Sequence, residues 1–252
     1  MDQKMLYQRQ AGDSSLIVPD YESALIGRDK FVIDYISGRL TSHNIQANII
    51  ELSIGEGRLT QSLLHALPDI KLTCVDISKN RIEHVQKILE ANAAENNINV
   101  TFVECNFDTE FNLIKSLKYE HVVALDVMEH VLDVFNFIET CYRILKPGGL
   151  LFIRVPNIAY IKHRVGLLSG KLPVTASWFG PPDSFDTWRE QHGWDGGHLH
   201  LFTIPVLVQL LSESGFSVEN CRDPGASYGF VRNVWPNLLY SNPLIVARKV
   251  DK

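Results

Sequence analysis

The chain has 252 residues, 45% of them hydrophobic and 21% charged, a size and balance at which one α/β domain buries a large core. Its formal net charge of −5 argues against a broad nucleic-acid footprint and leaves open only a local basic groove. Cys74, Cys105, Cys141 and Cys221 form no Cys-x-x-Cys pair, the N-terminus is polar, and no apolar run approaches the ~18 residues of a membrane span. Disulfide scaffolds, zinc frameworks and membrane-spanning folds are therefore set aside, and a reducing, cytoplasmic setting is expected.

Residues 1–25 carry little pattern, with a turn-like Gly12-Asp13-Ser14-Ser15 and a lone Pro19; they are expected to wrap the surface or flap over a site. From about residue 26 to 42, Phe31, Val32, Ile36 and Leu40 keep helical spacing. The run Asn48-Ile49-Ile50-Glu51-Leu52 reads as a strand covered on both faces. It leads into Ser53-Ile54-Gly55-Glu56-Gly57, where alternating glycines permit backbone conformations closed to other residues and let a ligand lie against the turn. An amphipathic helix from Arg58 follows, its positive N-terminal end facing the same spot. The strand from Lys71 to Val75 then delivers Asp76, which lies 76 − 57 = 19 residues beyond Gly57, near the spacing of about 20 at which a carboxylate accepts from ribose hydroxyls. A nucleoside ligand is expected. A dinucleotide loop wants glycine or alanine where Thr60 stands.

Glu51, Ser53, Gly55 and Gly57 match Glu/Asp-x-Gly-x-Gly-x-Gly with Ser53 at the first glycine, which resembles the nucleotide loop of class I S-adenosylmethionine-dependent methyltransferases. The resemblance continues downstream. Ser78 caps a helix with Ile82, Val85, Ile88 and Leu89 toward the sheet, and 100–105 is a third strand. The following turn meets the adenine in that family; Asn106 accepts from its amino group or serves merely as a turn residue, and Phe107 stacks on the ring. A fourth strand, 121–125, ends in Asp126-Val127-Met128-Glu129-His130, a helix runs to Leu145, and Lys146-Pro147-Gly148-Gly149 stops it before a fifth strand ending Val155-Pro156-Asn157. This succession is similar to ubiquinone-pathway O-methyltransferases and many small bacterial enzymes, over roughly residues 45 to 220.

Between Ile158 and Leu201 the chain leaves the sheet for 44 residues, longer than the ~12 to 15 of an ordinary connection. Its aromatics, Trp178, Trp188 and Trp194 among them, predict an ordered lid that binds the acceptor, the bland alternative being a satellite core. The lid closes on Gly196-Gly197-His198-Leu199-His200-Leu201-Phe202-Thr203, which resembles a segment of bacterial methyltransferases linked to sugar and polysaccharide modification. Thr203 caps a helix through Leu211, Gly215 ends it, and the strands 216–221 and 244–250 should pair antiparallel at the sheet edge.

The expected fold is α/β: a doubly wound, mostly parallel seven-stranded sheet in one domain, 1–252, with an N-terminal helical segment 1–44 and a lid insertion 158–201. The resemblance assigns S-adenosyl-L-methionine as cofactor and Glu51, Ser53, Gly55, Gly57, Asp76, Ile77, Asn106, Phe107, Leu125 and Asp126 as its site. The acceptor is expected to be a small molecule, a hydroxyl or phosphate-type oxygen of an activated sugar or polysaccharide precursor, held by Trp178, Trp188, Trp194 and His200. His130 and His198 are the candidate bases, each with a structural role as the alternative. Asp126, Glu129 and His130 also echo an acid-x-x-acid-His metal motif of some ubiquinone and RNA-end methyltransferases. The metal-free version is preferred, because Asp126 replaces the usual Glu and no fourth ligand is visible. No nucleic-acid or membrane partner is expected, and a homodimer stays open. The rival classes are a non-catalytic S-adenosylmethionine-binding protein and an NAD(P)-binding oxidoreductase.

Overall fold

The computed structural model describes residues 27–40, 47–67, 69–92, 99–114, 118–173, 198–224 and 229–250. In chain order these form α1 (Arg28–Leu40), β1 (Asn48–Leu52), α2 (Arg58–Ala66), β2 (Lys71–Asp76), α3 (Lys79–Asn92), β3 (Val100–Glu104), β4 (Tyr119–Leu125), α4 (Val134–Ile144), β5 (Leu145–Arg154), α5 (Ile161–Leu168), α6 (Ile204–Glu213), β6 (Phe216–Arg222), α7 (Gly229–Val234), α8 (Pro236–Leu239) and β7 (Leu244–Lys249). Short 3-10 turns occupy Phe111–Ile114 and Met128–His130.

The seven strands make one sheet in the order β3-β2-β1-β4-β5-β7-β6. Strands β1 to β5 pair in parallel, while β7 runs antiparallel to both β5 and β6. The expected antiparallel pair is present, with β6 at the outer edge and β7 inside it. Strand order reverses between β1 and β4, so loops after these two strands diverge and leave a crevice beyond their carboxyl ends.

Side chains alternating along each strand serve two cores. Ile50, Leu52, Val122, Ala124, Leu151 and Ile153 face Phe137, Ile138 and Cys141 of α4 and Leu207 and Leu211 of α6. Ile49, Leu72, Cys74, Val123 and Phe152 face Val32 and Ile36 of α1, Leu63 of α2 and Val85 of α3. Continuous apolar runs were therefore the right signal for buried strands. α4 is capped by Asp133, whose side chain accepts from Asn136 N, and α6 by Thr203, which accepts from Val206 N.

Two expectations change. α4 does end at Ile144, before Lys146-Pro147-Gly148-Gly149, but that segment belongs to β5 as an irregularity, where the register with β4 shifts between Tyr119 and His121. Gly149 is required there, since a Cβ would lie 2.9 Å from both Glu120 O and Lys146 O. The segment after β5 contains a helix, α5, and the fifth strand itself ends at Arg154. Trp178, Trp188 and Trp194 lie outside the described residues, as do residues 1–26 of the N-terminal segment. Among the described residues, no helix is long and apolar enough to cross a membrane.

Candidate functional site

The loop after β1 is held in conformations that few residues adopt. Ser53 has φ 69, Gly55 φ 53 and Gly57 φ 74. Ser53, where the motif has glycine, thus takes the glycine conformation, at a cost of about 1 to 2 kcal/mol. The amides of Ser53 and Ile54 donate to Val75 O at 2.8 and 3.2 Å, tying the turn to β2. Asp76, at the end of β2, accepts from Gly55 N through Oδ2 at 3.1 Å and from Ser78 N through Oδ1 at 2.9 Å. Burial raises the Asp76 pKa, opposed by the Arg81 charge and these backbone donors.

The end of β4 has a second strained residue. Asp126 has φ 55, and its carboxylate takes guanidinium N–H groups from both Arg28 of α1 and Arg154 of β5. Strain of this kind persists only where surroundings over-determine it, and it concentrates at functional sites.

Between the two loops lies a cavity of about 560 Å³. Glu51, Ser53, Gly55, Asp76, Ile77, Asn106, Phe107, Leu125 and Asp126 line it, together with His130 and His198. Burial pushes the Glu51 carboxyl up to about 8, although Thr60 Oγ1 donates to its Oε2 at 2.7 Å.

Where His130 and His198 line this wall, they and Glu129 bring one ligand atom each within 4.8 Å of one another. The His130 and His198 rings meet edge to face at 4.8 Å. Glu129 is buried, its Oε2 has no hydrogen-bond partner among the described residues, and burial, reinforced by the Asp126 charge, pushes its carboxyl up to about 8. His198 reaches this spot because the amides of Leu199 and His200 donate to Glu129 O at 2.7 and 3.2 Å.

Residues 50–151 match the family model described as "Methyltransferase domain". The chain carries a class I methyltransferase domain. This methyltransferase domain is 27% identical over 157 residues to a mitochondrial ubiquinone biosynthesis O-methyltransferase of Dictyostelium discoideum, covering 56% of this chain and 49% of the relative. It is 22% identical over 211 residues to the ubiquinone biosynthesis O-methyltransferase of Rickettsia canadensis, covering 81% and 77%. The chain thus spans about half the length of the Dictyostelium relative. Among solved structures, the N-methyltransferase NodS of Bradyrhizobium japonicum in complex with S-adenosyl-l-homocysteine superposes with a TM-score of 0.58 at 14% identity, covering 99% of this chain and 100% of that one. The magnesium protoporphyrin IX methyltransferase of Synechocystis, with the same molecule bound, gives 0.57 at 15% identity, covering 97% and 93%. These two likenesses establish the fold.

In the methyltransferase domain all the predicted cofactor residues except Gly57 line the cavity. Gly57 serves packing: a Cβ there would sit 2.5 Å from Val85 Cγ2 of α3. Gly57→Ala combines that overlap, about 1 to 3 kcal/mol, with a left-handed φ costing about 1 to 2 kcal/mol. At about 2 to 4 °C per kcal/mol for a chain this size, its melting temperature should fall well below that of Gly55→Ala, whose Cβ meets nothing within 4 Å. Equal melting temperatures for the two variants would refute the packing role.

Asn106 Oδ1 accepts from Asp108 N at 2.9 Å, the turn arrangement, although the residue also lines the cavity. Phe107 packs on Phe111 and Phe137 at 4.8 and 5.7 Å between centroids and presents only part of itself to the cavity. His200 has its Nε2 2.9 Å from Val131 O, and it is not among the residues that line this cavity. Arg28 and Arg81 were missed, though both line it. Arg28 comes from α1, 98 residues from the aspartate it pairs with, and nothing in local periodicity marks such a partner.

Proposed function

We propose that the chain is an S-adenosylmethionine-dependent O-methyltransferase whose acceptor is an oxygen of a small molecule, an activated sugar or cell-surface polysaccharide precursor. The observation that carries this reading is one cavity whose wall joins Gly55 and Asp76 to His130 and His198, with Glu129 beside the two histidines. The residues fit the cofactor: space beside Gly55 is open, Asp76 lines the cavity with lone pairs left over, and about 560 Å³ suits a ligand of nucleoside size. When bound, S-adenosylmethionine supplies an electrophilic methyl group. The protein's part is then to hold the acceptor oxygen aligned and dry, from which most of the rate can come. The likeness to ubiquinone biosynthesis O-methyltransferases supports oxygen over nitrogen as the acceptor atom.

The preference for a metal-free site rested on a missing ligand. Asp126 is indeed taken, by two arginines, but His198 joins Glu129 and His130. One carboxylate and two imidazoles suit a divalent cation, and a buried carboxylate oxygen without a partner is costly unless something satisfies it. We therefore assign Glu129, His130 and His198 as cation ligands. The chemistry such a cation supplies is a lowered pKa at a bound acceptor hydroxyl, replacing a protein base.

Transfer of labelled methyl from S-adenosylmethionine to a panel of nucleotide-sugars and of hydroxylated aromatics tests the reading. Labelled nucleotide-sugar is the expected result. Label in the aromatics alone would move the acceptor to the chemistry named for the relatives, and cofactor binding with no transfer to either panel would favour the non-catalytic rival.

A further inference from the structure

Asn157, the last residue of the Val-Pro-Asn motif, is buried, and its side chain is fully used. Nδ2 donates to Tyr240 O and Asn237 O at 2.8 and 3.0 Å, and Oδ1 accepts from Ala159 N at 3.0 Å. Its own amide donates to Ser241 O at 2.8 Å. Asn157 thereby fastens the chain leaving β5 to the loop before β7. That loop is braced again by Asp223, which accepts from Ser241 N at 2.7 Å and pairs with Arg232. Such bracing holds a surface in one shape. What it shapes is a second cavity of about 560 Å³, lined by Tyr160, Lys162, Lys171, Ser241 and Asn242 and by His198.

His198 is the one residue, among those described, that lines both cavities. The second cavity thus shares with the first a wall residue of the proposed reacting centre. Its chemistry differs sharply from the first. Among the described residues no carboxylate lines its wall, whereas Lys162 and Lys171 do, and neither lysine joins an ion pair. Lys162 stands in the first turn of α5, whose N-cap Tyr160 makes no side-chain cap, so the helix end adds partial positive charge. Lys171 is brought back to the same cavity by its amide, which donates to Gly166 O at 2.8 Å. Burial lowers the His163 pKa, so that ring enters the wall as a neutral hydrogen-bonding group near neutral pH. Two lysines in one cavity wall match a phosphate-type anion, and two positive charges match a phosphomonoester or pyrophosphate.

We infer that this second cavity holds a phosphate or pyrophosphate group of the methyl acceptor, so that the acceptor is a phosphorylated small molecule with its reacting oxygen beside His198 and its anion between Lys162 and Lys171. The inference rests on the methyltransferase reading and narrows it. An acceptor without an anionic group would leave both lysines unused.

The test is calorimetric titration of inorganic pyrophosphate into the full chain saturated with S-adenosylhomocysteine, in wild type, Lys162→Ala/Lys171→Ala and Lys162→Arg/Lys171→Arg. Both lysines are exposed, so the variants should fold, and a thermal melt checks it. Pyrophosphate is expected to bind wild type, to bind the alanine variant about tenfold or more weakly, and to recover with arginine, while S-adenosylhomocysteine affinity stays the same in all three. Ring resonances of His198 should shift when pyrophosphate binds wild type and stay in place in the alanine variant. Absent pyrophosphate binding, or binding unchanged in the alanine variant, overturns the inference and leaves the methyltransferase reading standing. Failure of S-adenosylhomocysteine to bind overturns that reading, and the acceptor role with it, even where lysine-dependent pyrophosphate binding persists.

Discussion

Asp76→Ala is expected to weaken S-adenosylhomocysteine binding by at least about tenfold, since each hydrogen bond to a charged acceptor contributes about 1.5 to 3 kcal/mol. The carboxylate has two tasks in the structure. Its Oδ2 and Oδ1 accept from Gly55 N and Ser78 N, which fixes the glycine turn, and it lines the cavity with lone pairs still open for ribose hydroxyls. Alanine removes both, and Asp76→Asn separates them, because the amide oxygen can keep one backbone donor while its NH2 group cannot accept. The asparagine variant should therefore keep most of the wild-type melting temperature and lose affinity nearly as the alanine variant does. NAD should bind none of these proteins, because Thr60 is buried and committed to Glu51 where a dinucleotide loop needs a small residue under the pyrophosphate. Calorimetry with unchanged S-adenosylhomocysteine affinity in Asp76→Ala would remove the nucleoside assignment.

What could be read from the chain alone was what local sequence determines. Ile49 to Leu52 and Val122 to Leu125 announce strands buried on both faces, and a glycine turn with an acid 19 residues on announces a nucleoside pocket, since strand, turn and helix are set by neighbours in sequence. What stayed unread has a different cause. The packing of Gly57 leaves no signal because its partner, Val85, stands on another helix. Lys146 to Gly149 reads as a helix stop, and α4 does end just before it, but proline and glycine give the same signal in a turn and in a strand irregularity. The hydrogen bond of His200 leaves none because its partner, Val131 O, belongs to a distant loop. Arg28 carried no signal at all, and the carboxylate of Asp126 sits between two arginines, from α1 and β5, that are far from it in sequence. Long-range pairing of polar groups leaves no periodicity to read.

The cation cluster is the case where this matters most, and it gives the last expected result: chelation with EDTA should lower methyl transfer by about a hundredfold or more, with activity restored by magnesium or manganese, since a Lewis acid supplies several kcal/mol of transition-state stabilisation. His130 and His198 are 198 − 130 = 68 residues apart, and the hydrogen bonds of Leu199 and His200 to Glu129 O bring them together. Glu129 sets the pH dependence. Its carboxyl, pushed up to about 8 by burial, must be ionised to bind a cation, so cation binding displaces a proton below that pH and affinity should rise as pH is raised toward 8. Glu129→Gln removes that charge and should flatten the rise, and His130→Ala and His198→Ala should each weaken manganese binding measured by calorimetry. Asp126→Asn should weaken it less than either histidine variant does, since its carboxylate faces arginines and all three ligands remain. If one histidine serves instead as a general base, EDTA has no effect, and only the variant lacking that ring loses rate, recovering as hydroxide takes the proton at high pH. Full activity after chelation together with full activity in both histidine variants would leave alignment of an already anionic acceptor as the whole of catalysis, and would remove Glu129, His130 and His198 from the chemistry.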